Sequence, residues 1–248
     1  MIDLAIEKVE GIVIREVNYS ESSKILSIFT KEYGIISVIS KGCRNIRSKL
    51  RGISSRFVYG NFYIHYKENG ISTLTEAEVI QSFSKILSDI YKISYASYWL
   101  ELTEQAYKYS NDIEIYDLLV DCLKKINEGF NEKVLTSILE LKLLPFLGIQ
   151  PVIDQCSVCG NTKDILTISV ISGGYICHEC YQSGKIYSGK MIKLIRLFFY
   201  VDICRITKLD VSDTTMVELD SFISEYYDHY SGLYLKSKEF LKNLNKIS

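Results

Sequence analysis

Over the first 80 residues apolar positions alternate with polar ones or come in short bursts, and turn-forming residues interrupt them at close intervals. Val9–Val17 is rich in β-branched residues and stops at Asn18-Tyr19-Ser20, which predicts a strand. Ile25–Thr30 and Gly34–Ser40 are apolar runs joined by Lys31-Glu32-Tyr33, the spacing of a hairpin with a short loop running into glycine. Phe57–Tyr66 is aromatic-rich, with Gly60 placed for a bulge or a barrel bend. Ser72–Ile80 follows Asn69-Gly70, a tight-turn pair. Five short strands in this span predict a small closed barrel, and a five-strand Greek-key barrel of that size is an OB-fold.

Near Phe83 the period lengthens to that of a helix. Ile86–Tyr109 is dominated by apolar and aromatic residues around Trp99. Asn111-Asp112-Ile113-Glu114 has the form of a capping box, with Asn111 as N-cap. Ile115, Leu118, Leu119, Cys122, Leu123 and Ile126 then form one apolar stripe, which makes Cys122 a core residue. Gly129 ends that helix. Asn131 is placed to cap the next, from Glu132 to about Leu147, with Pro145 kinking its last turn. Farther on, Lys190–Val201 reads as an apolar helix, and Cys204 beyond it as buried. Leu219, Phe222, Ile223, Tyr226, Tyr227 and Tyr230 recur at helical spacing, and Ser237–Lys246 reads as a short basic helix.

Between the helical stretches lies a different pattern. Cys156 and Cys159 form one C-x-x-C pair, Cys177 and Cys180 another, with 17 residues between the pairs. A strand-like run at Ile165–Val170 and a Gly173-Gly174 turn can fold one pair onto the other. Four thiolates at this spacing fit a closed tetrahedral zinc site, which leaves no open position for substrate and therefore braces structure. His178 could replace a cysteine, but a surface role is simpler. The expected architecture is multi-part α+β. It has a barrel at 1–81, helical parts at 82–150 and 186–248, and an inserted four-cysteine, zinc-ribbon-like module at 151–185. The parts are expected to pack into one body.

Composition narrows the class. Hydrophobic residues are 47% and charged residues 24% of the 248, as in an ordinary globular protein. No apolar run approaches the ~18 residues of a membrane span. Acids at Asp3 and Glu7 stand where a signal peptide needs a basic flank, so a cytoplasmic, reducing location is expected. The net charge of −1 excludes a uniformly polyanion-seeking surface. The charge is uneven, however. Residues 1–80 hold 11 Lys/Arg against 9 Asp/Glu, and from Tyr33 to Tyr66 there is no acid at all. That acid-free stretch contains Lys41, Arg44, Arg47, Lys49, Arg51 and Arg56, interspersed with Gly, Ser and Asn. Cations spaced along a mobile, exposed loop can track a phosphate backbone, releasing counterions without reading sequence. Arg15 and Lys24 are weaker candidates for the same surface. The aromatics Phe57, Tyr59, Tyr63 and Tyr66 would either stack on bases or fill the barrel.

Catalytic motifs do not assemble. His65, His178 and His229 are the three histidines, too few and too scattered for a metalloprotease pattern. Gly184 to Lys190 spells G-x-x-x-x-G-K, but Met191 stands where a phosphate-binding loop needs Ser or Thr, so no nucleotide cofactor is expected. The acids Asp112, Glu114, Asp117 and Asp121 look like solvated helix faces. Cys43 lies among cations and is taken as an ordinary thiol.

Three stretches together resemble the RecO family of bacterial DNA repair and recombination mediators. The first runs from Gly11-Ile12-Val13 through Ser40-Lys41-Gly42-Cys43-Arg44 to Leu74-Thr75-Glu76-Ala77-Glu78. The second is Leu141-Lys142-Leu143-Leu144-Pro145-Phe146-Leu147-Gly148-Ile149-Gln150-Pro151, leading into Cys156-Ser157-Val158-Cys159-Gly160. The third is Tyr230–Leu241, with Lys236-Ser237-Lys238 before a final helix. The resemblance implies an OB-fold, a helical bundle and a zinc-bearing module. It implies a non-enzyme that binds single- and double-stranded DNA and anneals complementary strands. It also implies cooperation with RecR, and with the single-stranded DNA-binding protein, in loading RecA. An acidic, apolar-tipped tail such as that protein's would suit a groove near Lys190, Lys193 and Arg196. The residues alone leave two other readings: a zinc-containing docking adaptor with little DNA affinity, and a metal-dependent nuclease.

Overall fold

The protein is described from a computed structural model, covering residues 5–244. Five strands close a barrel: β1 (Ile6–Tyr19), β2 (Ser23–Thr30), β3 (Gly34–Ser40), β4 (Tyr59–His65) and β5 (Ile71–Gln81), in the order β1-β2-β3-β5-β4. The β3–β5 pair is parallel and the others antiparallel, which is the Greek-key closure expected. β1 is longer than its β-branched run because it serves two neighbours. Gly11 and Ile12 pair with β2 on one side and with β4 on the other.

Side-chain alternation on β1 divides two cores. Val9 and Val13 point into the barrel with Leu26, Ile28, Val38, Phe62, Ile64 and Leu74. Ile12, Ile14 and Phe29 point outward and are equally buried, because a helical body covers that wall. A strand buried on both faces reads as a continuous apolar run, and Ile12-Val13-Ile14 is one.

Gly60 is where β4 must bend. A Cβ there would lie 2.3 Å from the Glu78 carbonyl oxygen, and the strand register slips at the same point. The obstacle is backbone and cannot swing aside. Gly60→Ala should therefore cost about 3 kcal/mol, typical of severe overpacking, and lower the thermal midpoint by roughly 6–12 °C. A melting curve matching the parent would contradict this bend.

The helical body consists of α1 (Ser84–Leu87), α2 (Ile90–Ser110), α3 (Glu114–Glu128), α4 (Glu132–Leu143), α5 (Gly189–Tyr200), α6 (Asp213–Tyr230) and α7 (Lys236–Leu244). A three-stranded sheet of β6 (Val152–Cys156), β7 (Ile165–Ser169) and β8 (Gly174–Cys177) is inserted between α4 and α5. Two helix boundaries differ from expectation. Asn111 is not the N-cap of α3. It is the left-handed C-cap of α2 (φ 53°, ψ 28°), a conformation asparagine tolerates, and Asp112 accepts from the Glu114 N–H instead. α4 stops at Leu143, ahead of Pro145, and the chain continues in turns to Gly148. Asn131 and Gly129 act as expected: the Asn131 side chain accepts from Lys133 and Val134, and Gly129 adopts φ 108°. The predicted tail helix lies within the described residues as far as Leu244, and Lys246 lies outside them.

One hydrophobic cluster joins these parts. It includes Ile12, Phe29 and Tyr59 of the barrel, Trp99, Tyr116 and Leu139 of the helices, and Ile153, Ile168 and Tyr175 of the small sheet. Polar pins mark the seams. The Tyr59 and Tyr116 hydroxyls both donate to the Glu10 carboxylate, at 2.7 and 3.1 Å. Tyr107 packs on Phe29 at 4.9 Å and over Gly34, where a Cβ would overlap its hydroxyl. Tyr230 donates to the Val170 carbonyl at 2.7 Å, tying α6 to the small sheet. The α6 tyrosines are thus packing residues: Tyr226 and Tyr227 are buried, and Tyr227 donates to the Glu140 carbonyl at 2.8 Å. Glu140 also accepts from Tyr98 and pairs with Lys238 Nζ at 3.1 Å, which holds α7 against the body.

Candidate nucleic-acid interface and metal centre

The basic segment runs from the end of β3 to the start of β4. It is not the mobile loop its composition suggests. Backbone bonds from Asn45 to Gly42, Ser48 to Asn45 and Arg51 to Ser48 close successive turns (3.1, 3.0 and 3.2 Å). Cys43 is buried, Leu50 and Ile53 pack against the barrel interior, and Ser54 Oγ donates to Ser40 Oγ at 2.7 Å. At the far end Phe57, with φ 69°, donates its N–H to the Val13 carbonyl. The predicted fourth strand accordingly starts at Tyr59, two residues late.

With Cys43, Leu50 and Ile53 turned in, the segment turns five of its cations out. Lys41, Arg44, Arg47, Lys49 and Arg51 are all exposed. No carboxylate among the described residues pairs with any of the five. Arg44 also clips the segment to the β1–β2 turn: its guanidinium donates to the Ser20 carbonyl at 3.1 Å and its N–H to Ser22 at 2.8 Å.

The other three cations sit differently. Arg56 is half-buried in a cleft of about 670 Å³ between barrel and helices, shared with Arg15, Glu16, Glu101 and Glu104. Burial lowers its pKa, with Glu101 and Glu16 opposing. Its Nη2 donates to the Ser97 carbonyl at 3.4 Å, while its Nε has no partner. Arg15 pairs with Glu104 at 2.7 Å, and Lys24 with Glu16 at 2.5 Å. Phe57 and Tyr59 are core residues. Tyr63 is engaged by Glu78 and Lys8, and Tyr66 stacks on Tyr33 with centroids 4.3 Å apart.

Two exposed residues beside the cations escape a reading by composition. Ile46, between Arg44 and Arg47, is 85% exposed, and Tyr19, on the turn clipped by Arg44, is 51% exposed. A signal existed for Tyr19, an aromatic inside an Asn-Tyr-Ser turn, where a core role is hard to arrange. On α5, Lys190 and Lys193 are exposed, whereas Arg196 pairs with Asp154 at 2.9 Å.

The four cysteines converge. Cys156 ends β6 and Cys177 ends β8, so the sheet sets both knuckles at one edge. All four Sγ atoms lie within 4.8 Å of one another. Sulfurs about 2.3 Å from a tetrahedral ion stand roughly 3.8 Å apart, and Cys159 Sγ to Cys177 Sγ is 3.7 Å. Burial works to raise the Cys156 thiol, but backbone N–H groups of Cys159, Cys177 and Val158 outweigh it and bring it to about 6. Cys180 is pushed up to about 12 by side-chain hydrogen bonding to Cys159 and Cys177. The thiolate, and not the thiol, is the form of cysteine that ligates a metal ion. These residues can hold a metal ion, and with four sulfurs the site is closed to substrate. His178 is exposed and outside the cluster. Cys204, expected to be buried, is exposed with its Sγ on Asp202 at 3.0 Å, because α5 ends at Tyr200 and a short 3₁₀ turn lifts it out.

Comparison with known proteins fits this architecture. Residues 3–83 match the family described as Recombination protein O N terminal, and residues 87–239 match Recombination protein O C terminal. The chain belongs to the RecO family of DNA repair proteins. The RecO of Listeria monocytogenes serotype 4b, named a DNA repair protein, is 39% identical over 244 residues, 97% of this chain and 95% of that protein. Those of Halalkalibacterium halodurans and Bacillus cytotoxicus are each 37% identical, covering 97% of this chain and 96% and 98% of their own. The family consists of non-catalytic repair proteins. Among the described residues, no helix is long and apolar enough to cross a membrane.

Proposed function

We propose that this member of the RecO family is a recombination mediator that binds single- and double-stranded DNA through Lys41, Arg44, Arg47, Lys49 and Arg51. The observation that carries the reading is a pinned basic segment whose cations meet solvent with no carboxylate partner among the described residues. Such a ribbon neutralises phosphate and is indifferent to sequence, as a protein acting on any damaged site requires. Arg15, Lys24 and Arg56 are already engaged and contribute less.

Annealing follows from the same chemistry. Two separated strands repel through their phosphates, and cations bound along one of them lower that repulsion. Contacts confined to phosphate leave the Watson–Crick edges free to pair. The four-cysteine site holds one zinc ion as a brace for the small sheet. Cooperation with RecR and with the single-stranded DNA-binding protein, and through them delivery of RecA, completes the role; the exposed face of α5 at Lys190 and Lys193 is a docking position for an acidic tail.

An annealing assay on complementary oligonucleotides, without nucleotide, tests the reading. The protein should accelerate duplex formation and leave strand lengths unchanged with magnesium or manganese. Failure to bind either form of DNA would favour the docking adaptor, and shortened strands would mark a nuclease.

A further inference from the structure

We infer that Tyr19 and the apolar residues beside it form a base-contacting strip, which makes this surface favour unpaired over paired DNA. This rests on the phosphate-binding reading above and adds the part of the ligand that touches bases.

The geometry begins on β1. Beyond the register slip at Ile14, residues 15–19 pair regularly with β2, so Arg15, Val17 and Tyr19 share one face. Val17 and Tyr19 are 56% and 51% exposed. The Tyr19 ring makes no hydrogen bond or ring contact with any described residue, unlike Tyr63 and Tyr66. One residue on, the Ser20 carbonyl accepts from the Arg44 guanidinium. The apolar strip is thereby fastened to the basic segment, and Ile46 stands on that segment between Arg44 and Arg47.

Charge says what covers the strip. An apolar face fastened to Arg44, a cation with no carboxylate partner among the described residues, suits a ligand that is anionic along its backbone and flat and apolar on its faces. Single-stranded DNA has that form, because its bases are free to stack on an aromatic ring. In a duplex the base faces are hidden in the stack, so the same ring gains nothing. Stacking uses the face of a base and leaves its pairing edge free, which is compatible with annealing.

The test compares Tyr19→Ala and Tyr19→Phe with the parent on a thymidine oligonucleotide and on a duplex of equal length, across salt concentrations. Tyr19→Ala should weaken single-strand binding roughly 5- to 150-fold, the range for loss of one stacked base. Duplex affinity and the salt slope should stay unchanged. Tyr19→Phe should bind as the parent does. Tyr19→Trp, set against the buried Trp99, should lose fluorescence on adding single strand and not on adding duplex. Parental single-strand affinity in Tyr19→Ala, or an equal fall for both DNAs, overturns the inference. The Arg47→Ala, Lys49→Ala, Arg51→Ala variant belongs in the same series: its unchanged salt slope would overturn the phosphate reading itself, whatever Tyr19 does.

Discussion

Replacing Cys156 with Ser, or stripping metal with a chelator, is expected to produce the largest stability loss available in this chain. Cys156 is buried, carries the lowered thiol pKa, and ends the strand that β8 pairs with. Structural zinc in small finger peptides contributes apparent free energies of about 10–16 kcal/mol. The loss here should be smaller, because the small sheet also leans on the helical body through Tyr230 and through the Tyr175 hydroxyl, which donates to the Ile192 carbonyl at 2.6 Å. Elemental analysis should find one zinc per chain in the parent and none in Cys156→Ser. Protease cleavage should concentrate between Val152 and Lys185, and the thermal transition should fall or split. The barrel lies outside the affected sheet, so DNA affinity should fall little. Metal-free protein with parental melting would show that the thiols need no ion.

The second large effect is on binding. The side chains of Arg47, Lys49 and Arg51 make no hydrogen bond or ion pair among the described residues, so their joint replacement by Ala should leave the melting curve alone. With about 1 kcal/mol for each lost contact, the upper end for an exposed ion pair, affinity at low salt should fall on the order of a hundredfold. The fall should be alike for oligonucleotides of different sequence, since phosphate contacts carry no base information. Arg44→Ala is the less clean variant, because it also releases the Ser20 clip that positions Tyr19. A variant that discriminated among sequences would place base edges, and not phosphates, at this segment.

Much of this was readable before any coordinates, where the cause is local. The β-branched run Val9–Val17 predicts a strand, Asn69-Gly70 a hairpin, Gly60 a bend, and the C-x-x-C pairs a shared site, because each signal lies in a short stretch of chain. What stayed hidden depended on partners distant in sequence. Arg56 belongs by position to the basic run, yet Phe57 adopts φ 69° and the chain turns Arg56 toward α2. Lys24 and Arg15 look free until Glu16 and Glu104 come beside them. The polar composition of the basic segment suggested mobility, and the anchors that remove it are Cys43, Leu50 and Ile53, three apolar residues among many polar ones. Asn111 is of a residue type that suits both ends of a helix, and a four-residue pattern does not say which end it serves.

The proposed grip on phosphate rests on the exposed cations between β3 and β4. Its most direct test is the logarithm of the DNA association constant plotted against the logarithm of salt concentration, for the parent and the Arg47→Ala, Lys49→Ala, Arg51→Ala variant. Three lost phosphate contacts should flatten the slope by about 2 for a single strand and by close to 3, roughly 0.9 per contact, for a duplex. Two parallel lines would mean that the strand is gripped elsewhere.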